Sequence, residues 1–202
     1  MIDLYLIRHA ECENNINNHL ISGRSNHSPL TKNGIKQAML LGMRLKRENI
    51  KFDEVYSSPA IRTMETAKLS LGNIDDIIIS DNLQELDQGD WVGRLREEVY
   101  SKETIKEIDK DCWNFRPPNG ETQAEVQKRV YDVIKKNVIN NNDKITAFYT
   151  HGVAIKCLLK DVMNLDHRIT WRIQIDNTSI TQLRYDNGLW WPIKINDNGH
   201  VY

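Results

Sequence analysis

Leu4-Tyr5-Leu6-Ile7-Arg8-His9-Ala10-Glu11 decides the fold. The apolar run Leu4 to Ile7 reads as a short buried parallel strand, and polar residues begin where it stops. In open α/β sheets ligands collect at that carboxyl end. An Arg beside a His at such a place suits a phosphate: the first is a fixed guanidinium fork, the second an imidazole able to attack or donate.

The stretch from His9 to Pro29, rich in asparagine (Asn14, Asn15, Asn17, Asn18), reads as a surface loop, a length usually kept for function. Asn15 is close enough to His9 to help hold a ligand. Ile35, Ala38, Leu41 and Leu45 then repeat at helical spacing behind a candidate N-cap, Thr31. Glu54 to Tyr56 is a second strand. It runs into Ser57-Ser58-Pro59-Ala60-Ile61-Arg62-Thr63, where Pro59 suits the first turn of a helix and Ala60, Met64, Ala67 and Leu71 form its expected buried stripe. Arg62 falls in that first turn, where backbone N–H groups and the helix dipole also favour an anion.

Ile77-Ile78-Ile79 is a third strand, followed by a loop from Leu83 to Gly93 that carries Glu85 and an exposed-looking Trp91. A helix from about Leu95 to Asp111 has few apolar positions and reads as a surface lid, spanning about 93–120. After Arg116-Pro117-Pro118-Asn119-Gly120 a helix from Glu121 to Asn140 opens on a capping-box pattern, Thr122 with Glu125, and buries Val126, Val130, Val133 and Ile134. Asn140 to Asp143 is a turn. Ile145 to Tyr149 is a fourth strand, ending at Thr150-His151-Gly152 and passing into a helix. Ile180–Tyr185 and Trp190–Asn196 read as an antiparallel pair around Asp186-Asn187-Gly188.

Strands alternating with helices give an α/β fold, three-layer α/β/α, with a mostly parallel central sheet and an antiparallel edge. The 202 residues suit a single domain, 1–202. The strand ends then bring together Arg8, His9, Arg62, Glu85 and His151. That set is sufficient for phosphoryl transfer through a phosphohistidine. One His attacks phosphorus, two Arg hold the non-bridging oxygens, the second His donates, and the carboxylic acid protonates the leaving oxygen before activating water. The neighbouring guanidinium charges should keep the nucleophilic His neutral.

The bulk properties agree. A formal net charge of −1, with 40% hydrophobic and 27% charged residues, points to no nucleic-acid or membrane surface, so an anionic substrate must be held by local charge. Cys12, Cys112 and Cys157 form no CxxC and no disulfide framework. No apolar run reaches membrane-spanning length. Met1-Ile2-Asp3 leads straight into the strand without a secretory pattern, so a reducing cytoplasm is the expected compartment.

Taken in order, the motifs resemble the histidine phosphatase superfamily, the phosphoglycerate-mutase-like group. Arg8-His9-Ala10-Glu11 with Asn15 is similar to its RHGE signature, and Pro29-Leu30-Thr31 with Gly34, Gln37 and Ala38 to the next motif. Ser57-Ser58-Pro59 with Arg62, Thr66 and Ala67 follows, then Leu83 and Glu85 with Gly89, Trp91 and Gly93. Gly120-Glu121-Thr122 and Thr150-His151-Gly152 come after, and Asn196-Asp197 with His200 resembles the end of the small phosphatase branch, which includes broad-specificity and alpha-ribazole phosphatases. The resemblance implies His9 as nucleophile and Glu85 as proton donor. It implies a phosphate pocket of Arg8, Arg62 and His151, with Asn15 and Gly152 as further substrate contacts. It also implies no metal, no organic cofactor, a small phosphate ester as substrate and inorganic phosphate as product. Ala10 where Gly is usual, Cys12 where Thr or Ser is common, and His27 where Asp is frequent leave the chemistry intact and the substrate open.

The mutase members carry a longer, basic lid insertion. Here the lid is short and holds Glu97, Glu98, Glu103, Glu107, Asp109 and Asp111; an open acidic lid admits water and favours a phosphatase. Trp91, Trp113 and Phe115 offer either an apolar wall for the substrate or packing of the lid on the domain. Competing chemistries lack their patterns: no Cys-x5-Arg, no HExxH and no GxxxxGK[ST] occurs. His19, His27 and His167 read as ordinary surface or loop residues, and His200 either packs near the pocket or simply ends the chain. A phosphoglycerate mutase and a non-catalytic phosphate- or phosphopeptide-binding module are the alternatives. Trp190-Trp191 on an edge strand offers a homodimer contact or a cover for the sheet.

Overall fold

The computed structural model describes residues 1–72, 76–140 and 143–201. In chain order the elements are β1 (Ile2–Arg8), α1 (Glu13–Ile16), α2 (Lys32–Arg47), β2 (Glu54–Ser57), α3 (Ile61–Leu71), β3 (Ile77–Ile79), α4 (Arg96–Val99), α5 (Lys102–Lys110), α6 (Gln123–Asn140), β4 (Ile145–Thr150), α7 (Gly152–Val162), β5 (Ile180–Asp186) and β6 (Leu189–Asp197). The strands form one six-stranded sheet in the order β3-β2-β4-β1-β5-β6. The first four in sequence are mutually parallel, and β5 and β6 add an antiparallel edge.

Alternation along β1 builds the three layers. Leu4 and Leu6 face a core shared with Val126, Val130 and Ile134 of α6 and Ile155, Leu158 and Leu159 of α7. Tyr5 and Ile7 face the opposite core, with Leu41 and Leu45 of α2 and Ala67 of α3. The carboxyl ends of β1, β2 and β4 therefore open on one rim, between the two helical layers.

Local chemistry explains the helix starts. The Thr31 hydroxyl accepts from the Gly34 N–H at 2.9 Å. Thr122 and Glu125 form a reciprocal box, the Thr122 N–H reaching the Glu125 carboxylate at 2.9 Å and the Glu125 N–H reaching Thr122 Oγ1 at 3.1 Å; regular helix begins one residue later, at Gln123. Gly34 is obligatory for packing: a Cβ there would lie 1.9 Å from the Glu11 carbonyl oxygen, so α2 is seated directly on the loop after His9.

Several expectations are corrected. The polar stretch after His9 contains α1, begun by Cys12, whose N–H is accepted by Asn15 Oδ1 at 3.0 Å. Ile35 is exposed, and α2 buries Gly34 and Arg44 alongside Ala38, Leu41 and Leu45. Pro59 lies outside α3, whose N-cap is Ala60. The buried face of α3 is Arg62, Thr63, Thr66, Ala67 and Ser70, with Met64 and Leu71 only half-buried. That face is polar because it borders the site: Thr66 Oγ1, for one, accepts the Ala10 N–H at 2.9 Å.

The lid is two short helices, α4 and α5, separated at Tyr100 and Ser101. Trp91 is buried, not exposed, in a cluster with Ile21, Val99, Ile108 and Cys112, against which Phe115 packs. Trp113 packs on the α6–α7 core and under Lys160. All three aromatic residues thus pack the lid onto the body. Of the turn expected at Asn140 to Asp143, Asn141 and Asn142 lie outside the described residues.

Candidate active site

The parallel register aligns Arg8 with Thr150, so His9 and His151 emerge side by side from adjacent strands, ring centroids 5.2 Å apart. The His9 N–H donates to the Thr150 carbonyl at 3.0 Å, which pins the strand end. His9 is buried, and its Nδ1 lies 2.7 Å from the Ala10 carbonyl oxygen. A carbonyl only accepts, so Nδ1 carries the proton and Nε2 is left with its lone pair. Burial, then the Arg62 and Arg8 charges, hold the His9 imidazole well below its ordinary range.

Arg8 donates from Nη1 to the Ile175 carbonyl at 2.6 Å. Its Nε is buried without a hydrogen-bond partner among the described residues, a donor that an anion's oxygen would satisfy. Arg62, near the N-terminus of α3, donates from Nη1 to the Ser25 carbonyl at 2.7 Å and lies with Nη2 3.1 Å from His151 Nδ1. A guanidinium only donates. His151 Nδ1 is therefore an acceptor, and Nε2–H donates to Ser58 Oγ at 2.9 Å. Burial first, with Arg62 next, keeps the His151 imidazole well below its ordinary range.

Glu85 is aimed by the backbone. Its Oε1 accepts from the Leu86 N–H at 2.9 Å, and its Oε2 from the Val153 N–H at 3.3 Å, at the N-terminus of α7, where a carboxylate is favoured. The loop that bears it is held from behind. Arg129 donates to the Gln84 and Glu85 carbonyls at 2.7 and 3.1 Å. The Glu121 carboxylate pairs with Arg129 at 2.7 Å and Arg24 at 3.2 Å. Asn15 Oδ1 accepts from Cys12 N–H and, at 3.3 Å, from Asn177 Nδ2, which also reaches the His9 carbonyl at 2.9 Å. With its oxygen so occupied, Asn15 has its NH2 group left to offer a ligand.

Arg8, His9, Asn15, Arg62 and Glu85 all line one cavity of about 210 Å³. His151 and Gly152 do not. His151 sits behind Arg62, and a Cβ on Gly152 would meet Arg8 Nε at 3.6 Å, so Gly152 backs onto the Arg8 side chain. The cavity also takes in Arg96 and Tyr100 from the lid, Lys156 from α7, and Thr170 and Trp171, none of them singled out by sequence. Lys156 had one available signal: it follows Val153 by one helical turn on the segment opened by Thr150-His151-Gly152. The last two had none, because the 3-10 turn His167–Trp171 is too short to show periodicity.

The acidic lid residues are exposed, and none lines the cavity. The lid instead turns Arg96 and Tyr100 inward, so lid acidity does not bear on the chemistry. His19 and His27 are exposed and His167 half-buried, all outside the cavity. His200 is buried beside Arg44 and Thr178. Burial and the Arg44 charge push its imidazole down to about 4. Among the described residues, no group of three or more His, Cys, Asp or Glu is placed to hold a metal ion.

Known proteins are similar to this chain over nearly all of its length. A "Probable phosphoglycerate mutase GpmB" from Proteus mirabilis is 30% identical, covering 94% of this chain and 88% of its own. Phosphoserine phosphatase from Entamoeba histolytica, solved as a mutant in complex with phosphoserine, superposes with a TM-score of 0.87 at 26% identity over the full length of both chains. The alpha-ribazole phosphatase from Shigella flexneri superposes at 0.82 and 25% identity, covering 97% of this chain and 96% of that one. The model of the histidine phosphatase superfamily (branch 1) matches residues 4–198, and the chain belongs to that superfamily.

Proposed function

We propose that this chain is a phosphomonoester hydrolase that acts on a small phosphorylated metabolite through a phosphohistidine at His9, without a metal ion. The observation that carries the reading is the His9 ring. Its Nδ1 proton is fixed on the Ala10 carbonyl, so the bare Nε2 is the nitrogen left for a cavity lined by Arg8, Arg62 and Glu85. In the first step the Nε2 lone pair attacks phosphorus and the ester P–O bond breaks. Glu85, as the carboxylic acid, gives the leaving oxygen its proton. In the second, the Glu85 carboxylate takes a proton from water, and the hydroxide displaces phosphate from Nε2, restoring neutral His9. Arg8 and Arg62 supply the positive charge that other phosphatases draw from divalent cations. Asn15 offers a further donor.

A phosphoglycerate mutase is the second reading, favoured by the basic cavity face of the lid, where Arg96 points in. The test is hydrolysis of p-nitrophenyl phosphate in excess EDTA, beside His9→Ala. The expected result is turnover that survives chelation, an alkali-stable, acid-labile phosphoenzyme, and loss of both in His9→Ala. Activity removed by EDTA or retained without His9 overturns the mechanism. Weak hydrolysis with fast, bisphosphate-primed interconversion of phosphoglycerates identifies a mutase.

A further inference from the structure

The charge lining the cavity exceeds what a phosphate needs. Arg8, Arg62, Arg96 and Lys156 are its cations and Glu85 its one carboxylate, a formal +3. With Glu85 ionised a phosphomonoester dianion leaves one positive charge over, and with Glu85 protonated for the first step it leaves two, so in either state the lining has room for one more negative charge.

The position of the surplus follows from Lys156. It is half-buried on α7, and among the described residues it makes no hydrogen bond or ion pair, so its Nζ keeps contact with solvent. Glu85 does not neutralise it by contact: no hydrogen bond or ion pair joins the two, and the carboxylate accepts instead from the Leu86 and Val153 N–H groups. Desolvation of the ammonium outweighs the attraction of Glu85 and lowers its affinity for a proton. A partly desolvated cation without a protein partner carries part of the cost of a buried charge, and an anion delivered by the ligand offsets it. Arg96, by contrast, is exposed and lies over the Tyr100 ring, 5.3 Å from its centroid.

Lys156 also lies on a definite side. Val153, whose N–H holds Glu85, is one turn before it, and both side chains line the cavity. The proton donor marks where the leaving oxygen sits, and Lys156, within electrostatic reach of both Glu85 and Arg8, is placed to meet a second anionic group of the same ester.

We propose that Lys156 is the specificity residue of this site, and that it selects phosphate esters whose alcohol carries a carboxylate. This rests on the phosphohistidine reading for its orientation, but binding can test it without turnover. The matched probes are 3-phosphoglycerate and glycerol 3-phosphate, which differ by a carboxylate against a hydroxymethyl group. O-phosphoserine and phosphoethanolamine form a second pair. In the wild-type protein kcat/KM is expected to favour the carboxylate member by at least about 10-fold, the value of one well-placed charge interaction. Lys156→Met should collapse that ratio towards 1, and Lys156→Arg should restore it.

Calorimetric Kd values on His9→Ala, with and without Lys156→Met, read the same ratio in the absence of chemistry. A ratio that Lys156→Met leaves intact, or a wild type indifferent to the carboxylate in both pairs, overturns the assignment. Turnover that is His9-dependent but indifferent to the carboxylate sinks this proposal alone. A carboxylate preference in Kd without turnover of any ester sinks the hydrolase reading alone.

Discussion

Two histidines emerge from adjacent parallel strands, and their surroundings make them different reagents. His9 gives its Nδ1 proton to a carbonyl that cannot return one, and keeps Nε2 for the cavity. His151 has both nitrogens engaged, Nδ1 by Arg62 and Nε2 by Ser58, and stands outside the cavity lining. Both are buried and held neutral by desolvation and by the same guanidinium charges. Burial and charge therefore do not separate the proposed nucleophile from its neighbour. The tautomer does, and the tautomer is set by a single hydrogen-bond partner on each ring.

The comparison is broken most severely at His9. His9→Ala removes the proposed nucleophile, and p-nitrophenyl phosphate turnover should fall at least about 10⁴-fold, as for other lost nucleophiles. At His151 the loss should be smaller, on the order of 10–100-fold in kcat for His151→Leu, because only the aim of Arg62 is lost. Two polar variants sharpen the point. Asn places its oxygen near the position of Nδ1, and Gln places its amide near that of Nε2. If His151 works through Arg62, His151→Asn retains more activity than His151→Gln. The reverse order would mean that His151 turns its Nε2–H to the phosphate, as a member of the phosphate pocket that the family resemblance implies.

The strand ends were legible because an apolar run that stops at a charged residue can be read from the sequence alone, and the α/β topology leaves those ends a single rim. Thus Arg8, His9, Arg62 and Glu85 could be grouped without coordinates. The hydrogen bonding of His151 could not, since it depends on which way the Arg62 guanidinium turns after donating to the Ser25 carbonyl. Nor could the cradle behind β1. Ile175 and Asn177 receive Arg8 and brace His9 from a stretch with no periodicity. Trp91 reads as exposed among polar neighbours because its partners, Ile21, Ile108 and Cys112, are distant in sequence. Lys156 was missed because a lysine on an amphipathic helix ordinarily marks the solvated face.

Ser58 tests how far the His151 row matters. Ser58→Ala leaves the buried Nε2–H without its acceptor, which costs about 1–3 kcal/mol of stability. It leaves Arg62 its acceptor on Nδ1. Thermal or urea unfolding should therefore register the change clearly, while kcat falls only about 2–5-fold. A fall beyond 100-fold would place Ser58 at the reacting phosphate and merge the two histidine environments into one.

The least perturbing probe reads the two rings directly. In ¹⁵N spectra of histidine-labelled protein, with signals assigned through the His9 and His151 variants, His9 should show the Nδ1–H tautomer and His151 the Nε2–H tautomer. Both should stay neutral as the pH falls through the ordinary imidazole range, since both are held well below 6.5. Added inorganic phosphate should shift His9 more than His151. The same depression has a thermodynamic sign. Below about 6.5 the unfolded chain binds protons that the folded rings refuse, so stability falls as the pH drops from there towards their folded values. His200, pushed down to about 4, adds to the slope in the same window. The urea midpoint should accordingly decline from pH 7 to 5, and His151→Asn should flatten the decline by removing one of the rings that cause it. A midpoint that rises over that range would mean that the buried rings gain protons on folding. Neither the tautomer assignment nor a neutral nucleophile at His9 would survive that result.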